Sequence, residues 1–93
     1  MKMIWKFPLR MDDRQRVRVP TGTRVLTAQM QGPEICLWAM VETDSATIGA
    51  DMPVWIHGPG HPANVAEEFG RYVASVQMHG GALVFHVFVG KDF

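Results

Sequence analysis

Alternation of apolar and polar residues runs through most of this chain and predicts β-strands. The clearest case is the segment 71–89, in which two alternating runs flank Gly80 and Gly81. Adjacent glycines supply the positive φ angles of a two-residue primed turn, so the segment predicts a β-hairpin. The register that follows pairs His79 with Ala82, Met78 with Leu83, Val76 with Phe85, Ala74 with Val87 and Tyr72 with Val89.

The two faces of this predicted hairpin differ in polarity. One face is apolar apart from a phenol, and we expect it to join the core: Tyr72, Ala74, Val76, Met78, Leu83, Phe85, Val87 and Val89. The other face is mixed, because it carries Ser75 and His86 beside Phe88. A shift of one residue would scatter the apolar set, so burial favours this register. The mixed face is where we expect a second subunit to pack.

Turn signals divide the rest of the chain at the spacing typical of an all-β domain. Five further strands are predicted at Met3–Pro8, Arg14–Val19, Thr23–Gln31, Glu34–Glu42 and Met52–His57, with a polar loop over 43–51. The fourth is apolar on both faces, which indicates a central strand or an interface. We therefore expect one domain, 1–93, of the mainly β class. It is an antiparallel sandwich or rolled barrel of about seven strands with one short helix.

The predicted helix lies between the fifth strand and the hairpin. Asn64 is a candidate N-cap with Glu67 three residues later, and Gly70 suits a left-handed exit. Val65 and Phe69 then share one helix face, on which we expect them to close an open end of the β-structure.

The charge is balanced overall but unevenly distributed. Residues 1–31 carry a net +5 and residues 32–93 a net −5, while the whole chain has a net charge of zero. Such asymmetry indicates a site for an anionic partner or a head-to-tail contact between copies. Alternatively, the two halves interleave in the fold and neutralise each other locally.

Cysteine content and hydropathy bear on the compartment. The single Cys36 excludes an intramolecular disulfide and, within an apolar run, predicts a buried thiol. No apolar stretch approaches the roughly 20 residues of a membrane span, and no signal peptide is evident. We expect a protein of the cytoplasm that does not contact membranes.

Catalytic and metal-binding patterns are weak. His57 and His61 flank a Gly-Pro-Gly turn, but a zinc site needs three or four ligands, and the other histidines lie elsewhere. Ser75 opposite His86 predicts a cross-strand hydrogen bond, yet a catalytic dyad also requires an orienting acid and an oxyanion hole. We therefore expect no enzymatic activity, no metal and no cofactor.

Arginine alternation supplies the main candidate binding surface. Arg14, Arg16 and Arg18 share one strand face at intervals of about 6.6 Å, close to the phosphate spacing of a nucleic acid strand. Polymeric nucleic acid is not expected, because such domains are usually basic overall. A solvated or protein-facing edge strand is favoured, and a nucleotide-like ligand is the alternative. Trp38, His57 and His61 complete the candidate binding residues.

Three tryptophans and seven methionines are many for 93 residues. A two-layer domain covers only one face of the strand Glu34–Glu42, whose faces are both apolar. We therefore predict a homodimer, the most common oligomer of soluble proteins.

Four segments resemble an uncharacterised family of small proteins encoded by bacteriophages and prophages. They are Ile4-Trp-Lys-Phe-Pro-Leu9, Cys36-Leu-Trp-Ala-Met-Val41, His57-Gly-Pro-Gly-His-Pro62 and Val76-Gln-Met-His-Gly-Gly-Ala-Leu-Val-Phe-His-Val-Phe88. The resemblance implies a viral or prophage accessory protein acting in the host cytoplasm, without implying any catalytic residue.

Three functions are compatible with this picture. The leading hypothesis is a counter-defence protein, of anti-CRISPR type, that inhibits a host protein by binding it. The second is an oligomeric sponge that sequesters a nucleotide immune signal, with the three arginines, Trp38 and the 57–61 turn around a pocket between protomers. The third is a structural or assembly protein. A deep pocket rimmed by arginine and tryptophan favours the sponge, and a flat face favours the inhibitor.

Overall fold

The chain folds into two antiparallel β-sheets and one short helix. The computed structural model describes residues 1–45 and 49–93. In this part of the chain the strands are β1 (Lys2–Pro8), β2 (Arg14–Pro20), β3 (Arg24–Gln31), β4 (Glu34–Glu42), β5 (Gly49–His57), β6 (Gly70–Met78) and β7 (Leu83–Gly90), and the helix is α1 (Asn64–Phe69). The mainly β prediction with one helix is confirmed, and neither sheet closes into a barrel.

The limits of the first four strands lie within one residue of the predicted ones, and the fifth strand differs by more. Short 3-10 turns occupy Thr43–Ser45 and His79–Gly81. β5 begins at Gly49, three residues earlier than the predicted Met52. The centre of the predicted polar loop, 46–48, lies outside the described residues.

The sheets contain three and four strands. The first has the order β1-β4-β3, and the second has the order β2-β5-β7-β6. They meet where β3 lies beside β6. There the guanidinium of Arg71 donates hydrogen bonds to the main-chain oxygens of Val25 and Phe93, each at 2.7 Å. One arginine thus joins the two sheets.

The core lies between the two sheets. The predicted central position of β4 is confirmed, because β4 pairs with both β1 and β3. Ile35, Leu37 and Ala39 of β4 are fully buried and pack against the other sheet. Their partners from that sheet are Val19, Met52, Val54, Ile56, Val76, Val87 and Val89. Cys36, on the opposite face of β4, is also fully buried, and burial raises the pKa of its thiol. A buried cysteine is therefore confirmed.

The closing hairpin is confirmed, with one correction to its register. Gly80 and Gly81 have φ angles of +67° and +94°, and the N–H of Ala82 donates to the carbonyl of His79 at 3.2 Å. The predicted pairs hold from Met78–Leu83 to Ala74–Val87. The Leu83 side chain is nevertheless exposed, so the predicted core face is covered only away from the tip.

A β-bulge changes the register beyond Ala74. The ladder skips Val73, so Tyr72 pairs with Phe88 rather than with Val89 as predicted. An extra residue in one strand reverses the facing of every side chain beyond it. Tyr72 consequently leaves the core face, and its ring packs edge-on against Phe88 with centroids 5.7 Å apart.

The helix is present and ends at Phe69, immediately before Gly70, as predicted, but the predicted N-cap residue and the predicted left-handed conformation of Gly70 are wrong. Ala63 occupies the N-cap position, and no side chain caps the helix. Gly70 is extended, with φ of −126°, because the chain passes directly from α1 into β6. Val65 and Phe69 are exposed and close no open end, and the buried helix residue is Ala66.

Within residues 1–45 and 49–93, no helix combines the length and the apolar character needed to cross a membrane.

Candidate functional site

Most of the candidate binding residues predicted from the sequence lie on the outer face of the four-stranded sheet. Along β2, Val17 and Val19 point toward the core, so Arg14, Arg16 and Arg18 point outward. We call this surface, with the outward side chains of β5, β7 and β6 and the overlying helix α1, the arginine face.

The three arginines differ in their partners. Arg18 forms an exposed ion pair with Asp51, with 3.2 Å between Nη1 and Oδ1. Exposed pairs of this kind contribute roughly 0–1 kcal/mol. Arg14 and Arg16 form no ion pair with any residue in the described part of the chain. Two free cationic groups therefore stand on an edge strand.

Trp55 lies beside Arg14, because these residues pair in the β2–β5 ladder. The indole is only 4% exposed, although it belongs to an outer face. Its Cζ3 atom would be 2.8 Å from a Cβ at Gly70, which shows how closely the start of β6 packs on the ring. The indole Nε1 is buried and has no hydrogen-bond partner, and the same holds for Nε2 of His57, two residues further along β5.

Two cavities open between β2 and α1. The smaller, of about 240 Å³, is lined by Asp13, Arg14, Trp55, His57, Pro62, Asn64 and Val65. The larger, of about 410 Å³, is lined by Arg14, Arg16, Pro53, Trp55, Val65 and Phe69. Because Arg14, Trp55 and Val65 line both, the cavities adjoin. The two cavities together form a groove, with the cationic side chains of Arg14 and Arg16 on one side and the exposed apolar side chains of Val65 and Phe69 on the other.

A third cavity, of about 290 Å³, lies on the other side of His57. It is lined by the turn from His57 to His61 and by Ala63, Tyr72, His86 and Phe88. Ser75 Oγ lies 2.7 Å from His86 Nδ1 and 2.7 Å from the Tyr72 hydroxyl. The predicted Ser75–His86 hydrogen bond is therefore confirmed. Among the described residues, no carboxylate bonds to this chain of polar groups, so it resembles cross-strand pairing more than a triad.

The two histidines of the Gly-Pro-Gly turn do not converge on a common point. The Nδ1 atom of His61 accepts a hydrogen bond from the N–H of Gly58 at 3.2 Å, so its ring folds back on the turn. In the described residues, no three His, Cys, Asp or Glu side chains are arranged to hold a metal ion.

Trp38 lies elsewhere in the molecule. It alternates with Leu37 and Ala39 of the core, so it faces outward from the three-stranded sheet. Five of the six candidate binding residues therefore lie on the arginine face, and the sixth, Trp38, lies on the outer face of the other sheet. Sequence reasoning missed Trp55, because its position beside Arg14 depends on the β2–β5 pairing.

Comparison with known proteins gives a family. The family model for a domain of unknown function, DUF7352, matches residues 1–93. The chain belongs to the DUF7352 family. Searches of curated proteins and of solved structures found no significant match. The site of this DUF7352 protein is therefore interpreted from its own geometry, which presents free cations, a buried indole donor, a buried imidazole nitrogen and an apolar wall together.

Proposed function

We propose that this DUF7352 protein acts by binding, without catalysis, and that the arginine face takes an anionic partner. In this proposal the protein is a phage or prophage accessory protein in the host cytoplasm. There it binds and inhibits a host component as a counter-defence, anti-CRISPR-like protein.

The single observation that carries the proposal is the pair of free arginines, Arg14 and Arg16, beside the exposed side chains of Val65 and Phe69. Protein interfaces are enriched in arginine and in aromatic residues. Complementary charge speeds encounter and selects the partner, whereas apolar contact supplies affinity. A cationic edge with an apolar wall suits an acidic protein surface.

The phage role is supported by the resemblance of the four segments described above. Inhibition of a host component is the task we expect of such a small protein, since the residues suggest recognition rather than chemistry.

Sequestration of a nucleotide signal is a second candidate, and the adjoining cavities favour it. Ligand pockets usually enclose about 300–1,000 Å³, and the groove at Arg14 combines cavities of about 240 and 410 Å³. Trp55 is buried and cannot stack on a base, so Phe69, which is exposed, would take that role. A pocket between the protomers of a homodimer could enlarge the groove.

Native mass spectrometry of the protein recovered from phage-infected bacteria separates these candidates. The inhibitor predicts the mass of a host protein in addition to that of this chain. The sponge predicts a copurified nucleotide, and an assembly protein predicts copies of this chain alone. Recovery of a bare monomer would contradict the proposal.

A matched pair of variants assigns the result to a surface. Arg14→Glu with Arg16→Glu reverses charge on the arginine face, and Arg24→Glu reverses an exposed charge on the other sheet. We expect the double variant to lose the added mass and Arg24→Glu to retain it. Equal recovery in both would place the binding surface elsewhere.

A further inference from the structure

Two buried polar atoms in the described part of the chain lack a hydrogen-bond partner, and the two residues that carry them line the same cavity. The atoms are Nε1 of Trp55 and Nε2 of His57. Both residues line the cavity of about 240 Å³ between β2, β5 and α1, and Arg14 lines it as well. Residues that carry a free cation, a buried indole N–H and a buried imidazole nitrogen therefore line the same space, and His57 also lines the cavity of about 290 Å³.

Such atoms are rare, because a buried polar group without a partner costs more than a hydrogen bond usually contributes. When a native structure retains one, a bound water or ion, a functional role or local strain is the usual explanation. Here two occur together beside an arginine. Their coincidence points to a ligand that supplies hydrogen-bond acceptors.

We infer that this cavity binds an oxyanion, that is, a carboxylate or phosphate group carried by a small apolar or planar molecule or by a partner's side chain. This inference rests on the proposed function and specifies its chemistry. Indole Nε1–H is a donor only, and guanidinium offers several donors and no acceptor, so Trp55 and Arg14 match an oxyanion. Hydrogen bonds to a charged acceptor are also shorter and stronger than neutral ones.

His57 completes the set through its tautomer. A neutral imidazole carries its proton on one nitrogen or the other. A bound oxyanion would select the tautomer with the proton on Nε2, which turns this unpartnered nitrogen into a third donor.

The surroundings restrict which oxyanion fits. Asp13 lines the same cavity, and its carboxylate opposes a second negative charge on the ligand. Pro62 and Val65 offer apolar contacts to a short stem. A singly charged group on an apolar carrier is therefore preferred, with the carrier extending into the larger cavity beside Arg16 and Phe69.

Access to the buried donors depends on exposed side chains. Arg14 and Val65 line both cavities at the groove, and both are exposed. In this inference the ligand reaches Nε1 of Trp55 by displacing these two side chains, which as surface groups change rotamer within nanoseconds.

The indole resonances in a ¹H–¹⁵N correlation spectrum test the inference directly. The chain has three tryptophans, and Trp55→Phe identifies the resonance of Trp55. Acetate, inorganic phosphate and adenosine monophosphate serve as the three probes. We expect saturable shifts of the Trp55 resonance, with dissociation constants of about 1 mM or below, while Trp5 and Trp38 stay unchanged.

The probes also distinguish the source of the oxyanion. Tighter binding of adenosine monophosphate than of phosphate indicates a nucleotide carrier. Acetate binding at least as tight as phosphate indicates a carboxylate, as on an acidic side chain. Either result supports an oxyanion site, but only the second agrees with the preference for a single negative charge, because a phosphate monoester carries about −1.5 to −2 charge at pH 7.

Exposed variants keep the test independent of folding. Arg14→Gln should weaken the binding of the preferred probe about tenfold, because it removes a charged donor. Arg24→Gln, on the other sheet, should leave it unchanged. A Trp55 resonance that no probe shifts, or equal affinity in the two variants, would overturn the inference.

The outcome is separable from that of the proposed function. A host complex with no shift of Trp55 by any probe overturns the oxyanion site and leaves the proposed function standing. Anion binding at Trp55 in a protein that recovers no partner or nucleotide from infected cells supports the site and contradicts the function.

Discussion

At the scale of single residues, the arginine face depends on a position that carries no side chain. A Cβ at Gly70 would lie 2.8 Å from the carbonyl oxygens of Ala66 and Val89 and from Cζ3 of Trp55. Two of these three neighbours are main-chain atoms, which cannot move without displacing α1 or β7. Glycine at this position therefore lets the chain pass from α1 into β6 while covering the indole.

Gly70→Ala should accordingly lower the free energy of unfolding by about 1–3 kcal/mol, as overpacking of a tight site does. Denaturation in guanidinium chloride, followed by tryptophan fluorescence, measures the change. Gly49→Ala is the matched control, because the three atoms nearest to its Cβ all belong to the exposed guanidinium of Arg18, a flexible group that can move away. An equal loss in both variants would contradict this account of Gly70.

Residue-level features of the site were only partly predictable. The alternation along β2 suffices to place Arg14, Arg16 and Arg18 on one face, because strand periodicity fixes side-chain direction. It does not show that, among the residues that the structure describes, Arg18 is the one of the three with an ion-pair partner, since Asp51 comes from another strand. The same limit explains why Trp55 is absent from the candidate binding residues, because its position beside Arg14 depends on the pairing of β2 with β5.

At the scale of elements, the strands were predictable because burial and turn chemistry agree along the chain. Glu34–Glu42 has both predicted limits, and the Gly80–Gly81 turn sets the register of the hairpin up to Ala74. The bulge at Val73 was not predictable. Valine fits a regular strand as well as a bulge, so only the packing against the other sheet reveals the extra residue.

The helix α1 was predicted correctly, but its capping was not, and for a different reason. Its caps were inferred from local preferences of Asn64 and Gly70, but a helix of six residues takes its ends from tertiary packing. Glycine is needed at position 70 because α1, β7 and the Trp55 ring pack closely there, and not because the helix ends in a left-handed conformation.

The hairpin turn gives the prediction at this scale. A Cβ at Gly80 would meet nothing within 4 Å, so substitution tests only the backbone angle, φ of +67°. Gly80→Val should cost about 1–2 kcal/mol of unfolding free energy, because a β-branched residue resists the left-handed region. Gly80→Asn should lower the free energy of unfolding by only about a few tenths of a kcal/mol, since asparagine tolerates the left-handed region. Thermal unfolding monitored by circular dichroism compares them, and equal losses would argue against the left-handed turn.

At the scale of the whole molecule, the uneven charge along the chain does not become one patch. The basic first third supplies β1 and β3 to one sheet and β2 to the other. Lys2, Lys6 and Arg24 thus stand apart from the arginines of β2. Lys6 donates a hydrogen bond to Gln31, and Arg18 pairs with Asp51, so part of the charge is satisfied locally. What remains free beside an apolar groove is the pair Arg14 and Arg16.

The central claim is that this pair carries the function, and the most direct measurement is protection of a phage from host immunity. Efficiency of plating is measured for a phage targeted by a CRISPR–Cas system, in cells producing the protein or its variants. The account predicts that the wild type and Arg24→Glu restore plaques, whereas the folded double variant Arg14→Glu/Arg16→Glu does not. Plaques restored equally by the double variant, or by no form of the protein, would contradict it.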